Sequence, residues 1–292
     1  MHSALKQSIV HHFADDTNLL FSHKNPEIIR KTMNKELKLL YDWLCANKLS
    51  LNVDKTEFII FRPPRTKLEN RIVLTLNGKK IYESRKIKYL GLIIDDRLTW
   101  RFHINELCKK LGRAVGMLYK IRHFCPLTVL GSLYHSLFNS HMTYGLPVWG
   151  NANQIFTNKL ITLQKKAIRA ISFSDYKSPS APIFKELQIL RFKDLYKTQL
   201  ASLMWDLDHN TIPPALSSYF TRSNEVHNHL TRMATSNKFI IKQCNTKMYG
   251  NQSFQVQGAK MLNELKDQEL YNSAISKQAF LNKYKKQILS SY

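Results

Sequence analysis

Phe13-Ala14-Asp15-Asp16-Thr17-Asn18 is the stretch around which the rest of the chain can be arranged. β-Branched and aromatic residues precede it and Leu19-Leu20-Phe21 follows it, so the pattern predicts a β-hairpin with both aspartates at the turn. Adjacent carboxylates repel each other, and a divalent cation such as Mg²⁺, which prefers oxygen ligands, explains their pairing chemically. Ordinary turn chemistry is the alternative, because aspartate tolerates turn geometry and hydrogen-bonds its own backbone. Taken alone, so short a motif favours the ordinary turn.

The composition indicates a basic globular protein. The chain has 292 residues, of which 43% are hydrophobic, so one large domain or two domains with apolar cores are expected. Lys and Arg number 44 against 21 Asp and Glu, and the net charge of +23 favours polyanions or anionic membrane surfaces as partners. The four cysteines lack metal-binding spacing, which argues against a zinc site and fits a reducing compartment.

No segment of the sequence is typical of membrane insertion or secretion. The chain has no continuous apolar run of about 18 residues, and its first residues lack the apolar core and cleavage site of a signal peptide. These features predict an intracellular protein, nuclear or cytoplasmic, without a membrane partner.

The basic residues are concentrated most strongly in the middle of the chain. Residues 99–175 hold 10 Lys and Arg but only 2 Asp and Glu, whereas residues 1–98 hold 18 and 11 and residues 176–292 hold 16 and 8. A segment so poor in carboxylates cannot neutralise itself by internal ion pairs. We therefore expect residues 99–175 to present a surface that binds phosphate.

Short elements are predicted for residues 1–98. A helix begins at Pro26 and ends near Asn47, and the apolar residues 58–61 (FIIF) indicate a strand. Asn77-Gly78 between alternating apolar residues predicts a type I′ hairpin, and residues 87–94 predict one further strand that contains a glycine. The second acidic pair, Asp95-Asp96, is interpreted as a turn and helix entry and not as a metal site.

From residue 100 onward the apolar period changes from two to 3.6. Three amphipathic helices, separated by Cys125-Pro126 and by Tyr144-Gly145, predict a small bundle whose polar faces are almost purely basic. After a polar linker, a long helix is predicted over residues 183–208, and a last amphipathic pattern covers residues 259–289.

Four blocks of the sequence, taken in order, resemble the reverse transcriptase of non-LTR retrotransposons of the jockey type. Residues 13–18 are similar to the (Phe/Tyr)-x-Asp-Asp catalytic turn of the family's palm, and residues 47–57 (NKLSLNVDKTE) are similar to its next palm block. Residues 88–95 (KYLGLIID) resemble the primer-grip strand. Leu98-Thr99-Trp100 and residues 143–150 (TYGLPVWG) resemble the thumb that follows.

The resemblance implies an α+β fold in three parts. Residues 1–98 would form a partial polymerase palm of antiparallel hairpins and a helix, and residues 99–175 would form a helical thumb. Residues 176–292 would form a mostly helical C-terminal region, in which residues 213–216 (PPAL) and 226–232 (VHNHLTR) are also similar to such elements.

The resemblance also implies a role for individual residues. Asp15, and less directly Asp16, would hold Mg²⁺ or Mn²⁺ for two-metal nucleotidyl transfer, and Lys55 would donate a proton or positive charge to the leaving phosphate. Leu90-Gly91 would let the primer backbone approach closely. The partners would be an RNA template and a DNA primer, with dNTP as the substrate of the full-length enzyme. The side chains implied to hold the template–primer are Lys109, Lys110, Arg113, Lys120, Arg122, Lys165, Lys166 and Arg169.

One departure from the family pattern limits this assignment. In the family a further essential aspartate lies on a strand upstream of the Asp-Asp turn, and only twelve residues precede Phe13 here. We therefore expect the chain to be the C-terminal part of a reverse transcriptase, with weak metal binding and no activity by itself. A non-catalytic module that binds template–primer is the alternative function, and a basic structural protein unrelated to polymerases is a third.

Overall fold

The structure, a computed structural model, describes residues 5–63, 72–226, 238–246 and 250–292. It divides into two compact units, Met1–Leu98 and Thr99–Tyr292. The first unit contains three antiparallel hairpins and a long helix, and the second unit is mainly helical. This mixture of helices and small antiparallel hairpins agrees with the predicted α+β class. Within the described ranges, no helix combines the length and the apolar character needed to cross a membrane.

The Asp-Asp stretch forms the predicted β-hairpin. Strand β1 (Ile9–Phe13) pairs antiparallel with β2 (Asp16–Leu20), and the register joins Phe13 to Asp16. Ala14 and Asp15 are therefore the two residues of the turn. Ala14 has a φ of 51°, in the left-handed region that two-residue hairpin turns require at this position.

Helix α1 (Pro26–Ala46) follows and has the predicted ends. Asn25 caps it, because its side chain accepts a hydrogen bond from the Glu27 amide at 2.9 Å. The proline occupies the start of the helix, where a missing N–H costs nothing. The apolar face of this helix is buried at Leu37, Leu40 and Leu44.

Asn77-Gly78 forms the predicted hairpin turn. It joins β3 (Val73–Leu76) to β4 (Lys79–Tyr82), and its two residues have positive φ values of 48° and 72°. Leu74, Leu76 and Ile81 of this hairpin belong to the same core cluster as Leu37 of α1. The Thr75 amide donates to the Asn34 side chain at 2.7 Å, which attaches this hairpin to the helix.

The strand predicted for residues 58–61 is wrong. Phe58 makes an isolated parallel bridge to Glu83, and the rest of the segment is irregular. The Ser84 amide donates to the Phe58 carbonyl at 2.9 Å, and Arg62 forms an ion pair with Glu83 at 3.1 Å. Phe58 and Ile60 still pack against the core, so the apolar run reflects burial without a hydrogen-bonded ladder.

The single strand predicted over residues 87–94 is also wrong, because the segment folds back on itself. Strands β5 (Lys86–Tyr89) and β6 (Leu92–Asp95) form a third hairpin, and Leu90 and Gly91 are its turn. Their φ values are 44° and 82°, as in a type I′ turn. The glycine in this apolar run allows chain reversal, whereas the sequence pattern suggested close approach of another molecule to a continuous strand.

The second unit begins with a bundle that contains the three predicted helices. Its core is fully enclosed, since Leu130, Phe138 and Trp149 have 0% exposure. The second predicted helix contains a π-helical segment, Tyr134–Asn139, between two α-helical pieces. The helices are α2 (Arg101–Ile121), α3 (Leu127–Leu133), α4 (Ser140–Thr143), α5 (Leu146–Trp149) and α6 (Gln154–Ile171).

The long helix predicted over residues 183–208 is two helices. A turn in which Gln188 has a φ of 54° separates α7 (Ser180–Glu186) from α8 (Phe192–Asp208). Buried Gln164 of α6 fits into this break, where it donates to the Leu190 carbonyl at 2.9 Å and accepts from the Phe192 amide at 2.8 Å. Interruption of the helix leaves these backbone groups available to the Gln164 side chain.

The C-terminal part consists of shorter helices packed on α8. Trp205 of α8 stacks on Phe280 and meets Tyr271 edge-on, with ring centroids 5.0 Å apart in both pairs. Residues 227–232 of the VHNHLTR motif lie outside the described residues. The amphipathic pattern predicted over residues 259–289 covers the last three of the following helices: α9 (Pro214–Ser217), α10 (Ser223–Val226), α11 (Phe254–Lys266), α12 (Glu269–Asn272) and α13 (Lys277–Ser290).

Candidate metal turn and nucleic-acid interface

The two aspartates lie at the tip of the first hairpin and are exposed. Asp15 is the second turn residue and Asp16 is the first residue of β2. Phe13, paired with Asp16, keeps 61% of its surface exposed. Next in the ladder, His12 and Thr17 make a side-chain hydrogen bond at 3.1 Å. The turn therefore presents two carboxylates to solvent on a short, well-defined strand pair.

The base of the hairpin is anchored to α1. Val10 is buried in a cluster with Leu40 and Leu44. Glu36 keeps only 2% of its surface exposed, and its two carboxylate oxygens accept hydrogen bonds from the amides of Lys6, at 3.2 Å, and Ser8, at 3.4 Å. This carboxylate holds the segment that enters β1, and it therefore helps to position the Asp-Asp turn.

Glu36 is not among the residues predicted from the sequence, although the sequence contains a signal for it. It lies three residues after Met33 and four before Leu40, so an acidic residue occupies the apolar face of a helix. A carboxylate buried on such a face needs hydrogen-bond donors. The donors come from a part of the chain that is 28 and 30 residues away, which the helix pattern does not reveal.

Lys55 ends a one-turn 3₁₀-helix, Val53–Lys55, and its side chain is exposed. The Asn52 side chain caps this turn by accepting from the Lys55 amide at 3.2 Å. Leu51 and Val53 pack against the same core cluster as Leu19 of β2. The structure thus brings the backbone of this loop and of the first hairpin to one core.

The donor set at the turn fits a divalent cation in part. Carboxylate oxygens are the ligands that Mg²⁺ prefers, and one or two carboxylates are enough where substrate phosphates and waters complete the shell. In the described ranges no three His, Cys, Asp or Glu side chains are grouped so that they could hold a metal ion. A cation at this turn would therefore need ligands from outside the Asp15-Asp16 pair.

The second acidic pair lies at a turn, as predicted, but it is not a helix entry, because α2 begins only at Arg101. Asp95 keeps only 2% of its surface exposed at the end of β6, and its side chain accepts from the Arg97 amide at 3.2 Å. The Asp96 amide donates to the Arg85 carbonyl at 3.1 Å. The predicted primer-contact residues, Leu90 and Gly91, lie at the opposite end of the same hairpin, where Gly91 is exposed.

The eight basic residues predicted to hold nucleic acid fall into two groups. Four are engaged by other side chains or backbone atoms. Lys109 pairs with Glu106 at 2.7 Å, and both Nε and Nη2 of Arg169 donate to the Ser178 carbonyl, at 3.0 and 2.8 Å. Arg122 lies over the rings of Tyr119 and Phe173, and Lys166 lies over the ring of Tyr176.

The other four basic residues, Lys110, Arg113, Lys120 and Lys165, are exposed and have no ion pair in the described part of the chain. Lys110 and Arg113 line a shallow groove of about 370 Å³, together with Met117, Leu137 and His141. This groove combines positive charge with an apolar floor. Lys165 lines a separate cavity of about 470 Å³ between α6, α7 and α8, with Arg191 and Lys193.

His103 shows how enclosed this part of the bundle is. Its ring lies 6.4 Å from that of Trp100 and 5.1 Å from that of Trp149, centroid to centroid. Burial lowers the pKa of His103 from 6.5 to about 4, and repulsion from Lys110 adds to this effect. At neutral pH this histidine is therefore uncharged and belongs to the core.

The chain is similar to polymerases of insect retroelements. It is 25% identical over 185 residues to the RNA-directed DNA polymerase from mobile element jockey of Drosophila melanogaster, which covers 62% of this chain and 20% of that protein. It is 24% identical over 187 residues to the probable RNA-directed DNA polymerase from transposon BS of the same species, covering 63% and 20%.

A third relative is the retrovirus-related Pol polyprotein from type-1 retrotransposable element R1 of Bradysia coprophila, 26% identical over 147 residues, or 47% of this chain and 14% of that protein. The matched region thus spans about a fifth of the first two relatives. No protein-family model and no solved structure matches the chain. The resemblance predicted from the motifs is confirmed: this chain is similar to the RNA-directed DNA polymerases of jockey-like non-LTR retrotransposons.

Proposed function

We propose that this chain binds an RNA template and a DNA primer as part of the RNA-directed DNA polymerase of a jockey-like retrotransposon. The observation that carries the proposal is the exposed Asp15-Asp16 pair at a two-residue hairpin turn, in a chain similar to jockey polymerases. Residues 1–98 would be part of the palm, residues 99–175 the thumb, and residues 176–292 a C-terminal region.

Asp15 and Asp16 would hold Mg²⁺ or Mn²⁺ at the turn. When bound, two such ions stabilise the attacking and leaving oxygens of nucleotidyl transfer from dNTP. Lys55 would place positive charge near the leaving phosphate, since its loop shares a core with β2. Glu36 would keep the turn in position through the amides of Lys6 and Ser8.

The primer and template would be held by hairpin β5–β6 and by the basic bundle. Gly91 has no side chain and is exposed at the hairpin tip, so a sugar–phosphate backbone can approach it. Lys110, Arg113, Lys120 and Lys165 carry ammonium and guanidinium groups to the surface without acidic partners in the described ranges. Such groups bind phosphate and release counterions, which makes the affinity dependent on salt.

We further propose that the chain alone binds template–primer without extending it. The two-metal reaction uses more carboxylate ligands than the turn supplies, and in the described ranges no group of three His, Cys, Asp or Glu side chains could hold a metal ion. Two functions are therefore compared for the chain alone: a module that binds template–primer without catalysis, and an active polymerase. The low proportion of acidic residues in residues 99–175 supports binding in either case.

Primer extension on poly(rA)/oligo(dT) with Mg²⁺ or Mn²⁺ separates the two functions, with binding of the same template–primer measured in parallel. The expected result is binding that weakens with salt and no extension. Extension that is lost in Asp15→Asn but kept in Asp42→Asn, a change of an exposed aspartate on α1, would establish an active polymerase. Failure to bind template–primer at low salt would overturn the proposed function.

A further inference from the structure

Exposed aromatic side chains cluster where α2 and α6 end. Phe124, just after α2, keeps 86% of its surface exposed, and Phe173 and Tyr176, just after α6, keep 49% and 67%. Single exposed apolar residues are ordinary on a protein surface, whereas a group of them marks a candidate interaction site.

Contacts between the two helix ends connect Phe173 to Arg122 and His123, the two residues that precede Phe124 in the chain. The His123 ring meets the Phe173 ring edge-on at 5.7 Å between centroids, and the Arg122 guanidinium lies 5.6 Å from the centre of the same ring. The Lys166 ammonium lies 5.9 Å from the centre of the Tyr176 ring. We call the residues Arg122, His123, Phe124, Lys166, Phe173 and Tyr176 the stacking patch.

The loop that carries Phe173 and Tyr176 is held in place. The Arg169 guanidinium makes two hydrogen bonds to the Ser178 carbonyl, and the Ser174 amide donates to the Arg169 carbonyl at 3.1 Å. The hydroxyls of Ser172 and Ser174 are 2.8 Å apart. These bonds fix the loop on the end of α6, so binding costs little of the ordering entropy that a free loop would lose.

Two cations beside exposed rings fit an anionic ligand that also carries flat aromatic rings. Two of the three exposed rings, Phe173 and Tyr176, have a cation within 6 Å of their centre. The loop between these two rings also contains one acidic residue, Asp175. The C-terminal ends of helices carry partial negative charge, so phosphate binding here relies on the side chains. A purely apolar protein surface would bury Arg122 and Lys166 without a partner, which is unfavourable.

We propose that the stacking patch binds unpaired nucleotides of single-stranded RNA or DNA, with bases on the aromatic rings and phosphates at the cations. Bases inside a duplex are already stacked on each other, so exposed rings select single strands. The inference rests on the proposed function, since it assigns to the same chain a site for nucleic acid outside the double-stranded template–primer.

The test uses the full 292-residue chain and two fluorescent probes: a single-stranded oligonucleotide with 2-aminopurine, and an RNA–DNA duplex without overhangs. Stacking on an aromatic ring quenches 2-aminopurine. Phe124→Ala and Tyr176→Ala should each weaken single-strand binding about tenfold and reduce the quenching, because alanine substitution of a stacked ring costs about 1–3 kcal/mol per base. Duplex affinity should change less than about twofold in both variants.

The control is Tyr219→Ala, which removes an exposed aromatic ring outside the patch and should change neither affinity. The salt dependence of binding should stay the same in the alanine variants, because they remove no charge. Unchanged single-strand affinity and quenching in both Phe124→Ala and Tyr176→Ala would overturn the inference and leave the proposed function intact. A chain that binds duplex but no single strand would also overturn the inference alone, and one that binds neither would overturn both proposals.

Discussion

The two units of this chain differ in how completely they enclose their cores. In the first, the most buried apolar side chain of the described residues, Leu76, keeps 1% exposure, and the core residues Val10 and Leu44 keep 7% and 9%. In the second, Leu130, Phe138 and Trp149 are completely buried. The first unit bears the candidate metal turn, and the second bears the basic surface and the stacking patch.

This difference predicts that the helical unit is the more stable part of the chain. Two-stranded hairpins are marginal in water unless a helix or further strands cover them, and each sheet of the first unit has two strands in the described ranges. The long-range hydrogen bonds that Glu36 and Asn34 accept from backbone amides therefore matter more there. The helical unit depends on tightly packed rings. Four predictions test this contrast, in order of decreasing effect.

Trp149→Ala should cause the largest loss of stability. The indole is fully buried, donates to the Tyr144 carbonyl at 2.9 Å and lies 5.9 Å from the Phe192 ring. Removal of a buried ring of this size costs about 3–5 kcal/mol. Denaturant unfolding followed by helical circular dichroism measures it, with Val148→Ala, at a 54% exposed neighbour, as the control. A loss below about 1 kcal/mol would contradict the contrast between the cores.

The helical unit should lose stability in acid because of His103. Its folded pKa of about 4 lies below the ordinary 6.5, since burial disfavours the charged ring. Below pH 6.5 the unfolded chain binds the proton more strongly, so stability is complete above pH 6.5 and falls toward pH 4. The loss at pH 5 should be about 2 kcal/mol relative to pH 7.5.

Unfolding in urea at several pH values measures the effect of His103. His103→Phe should give a flatter pH profile than the unmodified chain, and His141→Gln, at an exposed position of α4, should give the same profile as the unmodified chain. Equal slopes for His103→Phe and the unmodified chain would show that His103 is not buried as described.

Glu36→Ala should destabilise the first unit by about 1–3 kcal/mol, because two amides lose their acceptor in a buried site. Asp42→Ala removes an exposed carboxylate from the same helix and should cost less than about 0.5 kcal/mol. Hydrogen exchange should show faster exchange of β1 and β2 amides in Glu36→Ala, with α2 and α6 unchanged. Equal protection of β1 in both variants would contradict an anchoring role for Glu36.

The smallest effect is expected for single lysines of the basic surface. Lys110→Ala should reduce the slope of log affinity against log salt for duplex binding by about 1, as loss of one phosphate contact does. Lys109→Ala should change this slope less, because Glu106 already neutralises Lys109 at 2.7 Å. Identical slopes for the two variants would remove the distinction between paired and unpaired cations.

Local signals in the sequence predicted two hairpin turns and most helices correctly. Asn77-Gly78 and the Asp-Asp turn have chemistry that favours chain reversal, α1 and α6 have asparagine caps, and the apolar periods of α1, α2 and α6 are strong. One failure was local, because the Leu90-Gly91 turn was interpreted as part of a single strand. The others occurred where the fold depends on distant partners. Gln164 lies 26 residues from the carbonyl it binds in the break between α7 and α8, and a helical period says nothing about such a contact.

Less of the candidate site was predictable. The roles of Asp15, Asp16 and Lys55 were predicted only through resemblance. The sequence also did not reveal which of the predicted phosphate-binding residues make ion pairs or hydrogen bonds within the protein. Arg169 was predicted to bind phosphate, yet its guanidinium holds the Ser178 carbonyl. Glu36 was missed because its hydrogen-bond donors lie 28 and 30 residues away in the sequence. The stacking patch was missed because it depends on contact between the ends of α2 and α6.

The turn at Leu90 has a consequence for protein engineering. The two type I′ turns of the first unit share a geometry but differ at the first position, Asn77 in one and Leu90 in the other, with φ of 48° and 44°. Leucine is an unfavourable residue at positive φ, and the left-handed region costs it about 1–2 kcal/mol. Leu90→Asn should therefore increase the free energy of unfolding. If the Leu90→Asn variant is more stable but binds primer less well, the strained backbone at the hairpin tip contributes to primer binding at a cost in stability.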